Sequence, residues 1–124
     1  LSQEAKAFFM GFYNCKCEHV AIENPQPLKI VRLPPHTQSI QPYEFGEPYS
    51  KKTLLWLKGL PKLKPTKIVE EHKPWIASNT GGFARGKGGS RGVAHSAKMR
   101  SKTFAGIAQA FAEQWSEYLL SLHE

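Results

Sequence analysis

The chain is 124 residues long, enough for one domain with a sizeable core and small for an enzyme that must also hold a bulky cofactor. It carries 17 Lys and Arg against 10 acidic residues, a formal charge of +7, and all ten acids are Glu. Without Asp, schemes built on an Asp nucleophile, an Asp-His pair or an Asp-rich cation loop are excluded, and two-metal nuclease chemistry is disfavoured.

The first predicted element is an amphipathic helix over residues 2–13. Ala5, Phe8, Phe9 and Phe12 recur at i, i+3, i+4 and i+7, Ser2 can cap the first turn, and Asn14 can close the last. A short connection leads into a strand over Cys17–Ile22, whose apolar run stops at Glu23-Asn24-Pro25. Such a run fits a strand buried on both faces, as in a parallel sheet, and a helix followed by a buried strand points to α/β architecture. In open α/β sheets chemistry gathers at the carboxyl ends of strands, which makes Glu23 and Asn24 candidate site residues. The alternative is that Glu23 is a solvated strand end and Asn24 the start of an Asn-Pro turn.

From Pro25 to Pro35 the prolines around Leu28-Lys29-Ile30-Val31 predict a loop. Gln38–Tyr43 reads as a short edge strand, because Pro42 lacks the donor that a central strand needs. Tyr43, Phe45 and Tyr49 stud the next loop, positioned either to stack on bases or, more commonly for such rings, to pack onto the sheet. Lys52–Lys58 is the second strong strand, stopped by Gly59 and Pro61. Pro61–Pro65 reads as an extended linker, with Ile68-Val69 as a short strand beyond it.

Residues 77–102 form a glycine-rich basic loop expected to be mobile. Between Glu71 and Glu113 there is no acidic residue, while the interval holds Lys73, Arg85, Lys87, Arg91, Lys98, Arg100 and Lys102. The rest of the chain is neutral, so the excess charge is one local block. It is either the footprint of a phosphate backbone contact or a solvated loop, and Arg85, Lys87, Arg91, Lys98, Arg100 and Lys102 are the candidate nucleic-acid-binding residues. From Thr103 onward Phe104, Ile107, Ala108, Phe111, Ala112, Trp115, Tyr118, Leu119 and Leu122 keep a helical repeat for five turns. Thr103 or Ser101 is the expected cap, and the basic residues before it would make an anion site with the free amides of the first turn.

Other motifs carry less. Gly81 to Lys87 approaches a phosphate-binding P-loop, but Gly88 stands where a magnesium-binding hydroxyl is required, and nucleotide hydrolysis is rejected. Cys15 and Cys17 are the only cysteines, and a bridge between them is not expected. With His19 they make a weak zinc pattern that would need His72 or His95, so no metal site is assigned. Buried, inert thiols are the default. With no signal peptide and no apolar run long enough to cross a membrane, the expected compartment is the cytoplasm. The chain begins with Leu, and we expect it to be a fragment, either a single domain or the carboxyl-terminal half of a larger one.

Ala21-Ile22-Glu23-Asn24-Pro25 resembles the Glu-Asn-Val strand end of C5-cytosine DNA methyltransferases, and more closely that of phage and prophage proteins of methyltransferase-like type. Further segments extend this resemblance over nearly the whole chain: Ile40–Pro48, Lys52–Pro61, Ser101–Ala108 and Ala112–Trp115. It implies a partial Rossmann-like, methyltransferase-type sheet between an N-terminal helix and a long C-terminal helix. It also implies that Glu23 hydrogen-bonds a flipped cytosine, that Asn24 orders the loop, and that the terminal helix packs beside an S-adenosylmethionine site. The departures are Pro25 in place of valine, no Gln-x-Arg-x-Arg element, no Pro-Cys nucleophile and no glycine-rich cofactor strand. In the phage group the last two lie in an amino-terminal half, so S-adenosylmethionine is implied only if that half is present.

Two readings result. One is the DNA-facing half of a phage-type cytosine methyltransferase, with Glu23 and Asn24 in the base pocket and the basic loop on the phosphates. The other is a free-standing phage or prophage module that binds nucleic acid or a partner protein without chemistry. In either, an unpaired sheet edge or an uncovered C-terminal helix would favour homo-oligomers.

Overall fold

The computed structural model describes residues 3–25, 32–76 and 92–123. In chain order these form α1 (Gln3–Tyr13), β1 (Val20–Pro25), β2 (Gln38–Ile40), a 3-10 turn at Pro42–Glu44, β3 (Tyr49–Ser50), β4 (Thr53–Lys58) and β5 (Lys73–Pro74). There follow α2 (Ala97–Arg100), α3 (Ala105–Ala110), a π-turn over Phe111–Trp115 and α4 (Ser116–Ser121). The architecture is mixed α/β and falls into two units. The first comprises Leu1–Ile40, Lys52–Lys64 and Glu113–Glu124; the second comprises Gln41–Lys51 and Pro65–Ala112.

The first unit is built on β4, the central strand of a three-stranded sheet ordered β1-β4-β2. Its run Thr53-Leu54-Leu55-Trp56 is buried residue after residue, so this strand is the one covered on both faces. Alternation along the strand sends Leu54 and Trp56 to one face and Thr53 and Leu55 to the other. On the first face Phe9 of α1 meets Trp56 edge to face, with ring centroids 4.9 Å apart at 79°. Met10, Ile22 and Leu33 pack around that core of Phe9, Leu54 and Trp56. Burying each such side chain contributes about 2 kcal/mol, and the indole N–H of Trp56 is satisfied by Pro34 O at 2.8 Å.

Both neighbours of β4 are antiparallel, with Val20 opposite Lys58 through to Pro25 opposite Thr53, and Gln38 opposite Leu55 through to Ile40 opposite Thr53. This corrects the expectation of a parallel strand buried on both faces at Cys17–Ile22. β1 begins only at Val20 and lies at an edge, with Ala21 and Glu23 exposed and Ile22 and Asn24 half-buried. An edge strand has one neighbour to satisfy, which is why Pro25, without an N–H, is tolerated within it. The edge assignment of Gln38–Ile40 holds, although the chain turns into the 3-10 turn at Pro42 instead of continuing as a strand. Where β2 runs out, the hydroxyl of Thr37 accepts from Leu57 N at 2.9 Å and carries the ladder one step further.

The extended 61–64 segment is pinned by side-chain amides that imitate a strand pair. Gln38 both donates to Leu63 O (2.8 Å) and accepts from Leu63 N (2.9 Å). Gln114 does the same to Lys64 O and N, at 2.9 and 2.8 Å, and the indole N–H of Trp115 donates to Pro61 O at 2.9 Å. Gln114 and Trp115 lie in the π-turn, whose wider winding brings successive residues toward one side.

In the second unit β3 and β5 pair in parallel, Tyr49 with Lys73 and Ser50 with Pro74, and Phe45 bridges Lys67. The strand expected at Ile68-Val69 does not form; Val69 N instead donates to Tyr43 O at 2.8 Å and Ile68 stays exposed. Trp75 is the centre of the core, edge to face with Phe104 (5.0 Å) and Tyr49 (4.8 Å), and its N–H donates to Met99 O at 2.7 Å. Phe45, Ala94, Ile107 and Ala110 are buried as well. The aromatic loop thus packs down, as expected for Phe45 and Tyr49, while Tyr43 stacks on His72 at 3.9 Å.

The expected single terminal helix is divided by the π-turn into α3 and α4. Its cap also differs. Ser101 closes α2, and the residue at the start of α3 is Phe104, which makes no side-chain cap. The side chain of Phe104 packs into the aromatic core, and neither Thr103 nor Ser101 stands at the cap of α3.

Candidate functional site

Glu23 and Asn24 stand in the first unit near the end of β1, opposite Leu55 and Leu54 of β4. Successive strand residues face opposite ways, so the exposed Glu23 and the half-buried Asn24 are not side by side on one face. They do border one groove of about 390 Å³, lined by Ala5, Phe8, Phe9 and Phe12 of α1 and by Ala21, Ile22, Glu23 and Asn24 of β1. The repeat of α1 sets Ala5, Phe8, Phe9 and Phe12 along one side of an amphipathic helix. Only Phe9 is buried, at 5 % exposure; Phe8 is 71 % and Phe12 51 % exposed, and they meet each other edge to face at 5.0 Å.

The arrangement is an apolar groove with two exposed aromatic rings along one wall; on the other, Asn24 shares with Ile22 the face of β1 turned to α1, and Glu23, on the opposite face, borders the groove at the edge strand. Its chemistry suits a flat ring that carries hydrogen-bonding groups at its edge: ring faces stack on phenyl groups, and a carboxylate accepts from an amino group. Phe8 and Phe12, which line this groove, are not among the candidate residues that the sequence marks. The available signal was three phenylalanines within five positions, more than one narrow core stripe can absorb.

The connection between the two walls is held at several points. Asn14 N and Cys15 N continue the last turn of α1 onto Met10 O and Phe12 O, at 2.9 and 3.2 Å. Lys58 Nζ donates to Cys15 O at 2.6 Å, and the Nδ1–H of His19 donates to Gly59 O at 2.7 Å. Gly59 is required here. Its φ is +65°, and a Cβ on it would fall 2.1 Å from Glu18 O, so the backbone of the turn after β4 runs directly against the connection. Cys15 and Cys17 therefore lie in a pinned turn outside β1, half-buried and exposed respectively.

The basic candidates separate. Arg85, Lys87 and Arg91, like the P-loop-like glycines, lie outside the described residues. Lys98 and Arg100 are exposed on α2 in the second unit, and Lys102 follows them. Lys102 is oriented by the aromatic core: its ammonium sits 5.1 Å from the ring centroid of Phe104 and 5.5 Å from that of Trp75. Lys51, not singled out in the sequence, joins them, its Nζ donating to Lys102 O at 2.9 Å. Lys98, Arg100 and Lys102 are exposed and can meet phosphate oxygens, while Lys51 is half-buried.

Among the described residues no group of three or more His, Cys or Glu is placed to hold a metal ion, and no helix is long and apolar enough to cross a membrane. Compared with known protein families, curated proteins and solved structures, the chain matches none.

Proposed function

We propose that this chain is the DNA-facing, base-pocket portion of a phage-type cytosine DNA methyltransferase-like protein, and that it is not catalytically complete by itself. The observation that carries this reading is the groove in which the exposed rings of Phe8 and Phe12 face the strand bearing Glu23 and Asn24. A base taken out of its stack needs a surface to replace the stacking it loses and a partner for its hydrogen-bonding edge. The phenyl groups supply the first, contributing about 1–3 kcal/mol per base, and Glu23 supplies the second by accepting from the exocyclic amino group. Asn24, on the same face of β1 as Ile22, orders the strand end.

The resemblance at Ala21–Pro25 agrees with this assignment of Glu23. Neither cysteine lines the groove, so no covalent step is assigned to these residues. S-adenosylmethionine does not fit the described residues: Gly11, Gly46, Gly59 and Gly106 stand singly, and none forms the glycine-rich turn after a parallel strand that such a cofactor needs. In this proposal the Rossmann-like strands, the nucleophile and the cofactor site belong to an amino-terminal half. Lys98, Arg100 and Lys102 would hold the DNA by its phosphates. Self-association through α4 belongs to the same reading, resting on Leu120 and Leu122, 68 % and 51 % exposed.

The test is binding of short DNA duplexes followed by fluorescence anisotropy, comparing a fully paired duplex with one holding a single mismatched cytosine. A mismatched base costs less to extrude, so the wild-type chain should favour that duplex about tenfold, and Glu23→Ala and Phe8→Ala should each remove most of the preference. Equal affinity for both duplexes, unchanged by either substitution, would replace this reading with that of a binding module without a base pocket.

A further inference from the structure

A second cavity opens in the first unit, on the face of the sheet that α1 covers, and the base-pocket reading makes no use of it. It measures about 360 Å³, at the small end for a ligand pocket, and Ile22 is the one residue it shares with the groove of Phe8 and Phe12. Its floor comes from paired residues of β1 and β4: Val20 stands opposite Lys58 and Ile22 opposite Trp56, and cross-strand partners share a face. Tyr13 at the end of α1 and Pro35 before β2 complete the wall.

The rings of this wall are held by contacts of their own. Tyr13 stacks on Phe9 with centroids 5.9 Å apart at 17°, and Phe9 in turn meets Trp56 edge to face. The indole N–H of Trp56 is spent on Pro34 O at 2.8 Å, so Trp56 offers the cavity ring carbon and no donor. The polar groups that remain can all donate, and none is an anion. Among the described residues that line the cavity, Lys58 is the one charged group, and one of its N–H groups is spent on Cys15 O at 2.6 Å. The hydroxyl of Thr37 accepts from Leu57 N at 2.9 Å, which leaves its proton to donate, and Tyr13 carries a phenol O–H.

We infer that this cavity binds a small aromatic monocarboxylate, its ring against Tyr13 and Trp56 and its carboxylate on Lys58 and Thr37. Flat rings line the apolar part and take an aromatic body by offset or edge contacts. A single cation matches a single negative charge, so a monocarboxylate fits better than a phosphate ester, which carries nearly two. The groove of Phe8 and Phe12 has the opposite preference, since the charged group bordering it is the carboxylate of Glu23. The inference therefore stands apart from the base-pocket reading, and either can fail alone.

The test uses naphthoate as the probe and naphthamide as its uncharged counterpart, with binding to the full chain followed by titration calorimetry and by the NMR signal of the Trp56 indole N–H. Naphthoate should bind at one site and shift that signal, and naphthamide should bind about tenfold more weakly for want of the charge-assisted hydrogen bond. Lys58→Met should weaken naphthoate by a similar factor and leave naphthamide unchanged, while Lys58→Arg should retain naphthoate binding. Circular dichroism checks the fold of both variants; should Lys58→Met unfold, the two probes on the wild-type chain decide alone. Naphthoate binding should survive in Phe8→Ala, which strips a ring from the other groove. Equal affinity for the two probes, no saturable binding of millimolar naphthoate, or loss of its binding in Phe8→Ala would overturn the inference.

Discussion

Two glycines in helices should respond to alanine in opposite directions. Gly11 lies inside α1 and nothing comes within 4 Å of where its Cβ would be. There, Ala gains the helix preference of about 1 kcal/mol with no steric cost, partly by restricting the unfolded chain. Gly106 lies in α3, where an added Cβ would stand 2.0 Å from the backbone oxygen of Phe45. An ordinary carbon–oxygen contact needs roughly 3.3 Å, so the two backbones must separate by more than about 1 Å. Phe45 cannot yield easily: it is 4 % exposed, its N–H is bonded to Pro42 O at 2.9 Å, and it bridges Lys67. Overpacking of this kind costs roughly 1–3 kcal/mol or more, and between two backbones the upper end applies, leaving a net loss of about 2 kcal/mol after the helix gain. At about 4 °C per kcal/mol for a chain of this size, thermal melts followed by circular dichroism should place Gly11→Ala about 4 °C above wild type and Gly106→Ala about 8 °C below it. If Gly106→Ala melts at or above wild type, the close approach of α3 to Phe45 is refuted.

Three further outcomes are expected. Trp56→Phe removes the N–H that satisfies Pro34 O and leaves a small void beside Phe9; urea unfolding should show a loss of about 2 kcal/mol. Replacing Lys98, Arg100 and Lys102 together by Gln should lower the steepness of the log affinity against log salt plot by about 2–3, with little change in fold beyond a cation–π loss of under about 1 kcal/mol. A pH series of alkylation should find Cys15 labelled ahead of Cys17, because the lowered pKa of the first makes it thiolate where the second is still a thiol. The two rates should converge as pH rises above both, and equal rates at neutral pH would contradict the lowered pKa of Cys15.

The elements legible in the sequence are those whose signal is local. The spacing of Phe8, Phe9 and Phe12 gives α1, the apolar run Thr53–Leu57 gives β4, and Gly59 marks its end through a backbone conformation that other residues rarely adopt. What was not legible depends on distant partners. An apolar run such as Val20-Ala21-Ile22 does not reveal whether its neighbour runs parallel or antiparallel, because direction is set by where residues 53–58 return. β3 and β5 are two residues each, too short to leave a period. The cap of the terminal helix was misplaced for a different reason: Thr103 is the better capping residue, but Phe104 gains more by entering the core with Trp75 and Tyr49 than a hydroxyl gains at a helix end.

The candidate site follows the same division. Glu23 stood out because a carboxylate ends an apolar run, and the structure gives that position an edge strand beside a groove. An edge strand exposes unpaired backbone groups, and a charged residue with a proline near its end is also how proteins discourage unwanted strand pairing. Glu23 and Pro25 fit that protective role as well as the base-pocket role. The exposed phenylalanines separate the two. Protection of an edge gives no reason to leave Phe8 71 % exposed on the groove that Glu23 borders, since a bare ring there invites the association that the charge opposes. Two exposed rings on a groove that a carboxylate borders are what the proposed flat, polar-edged ligand would use, so Phe8→Ala is the more discriminating variant. In the protective role it should improve solubility and leave DNA binding unchanged; in the base-pocket role it removes the preference for the extruded base.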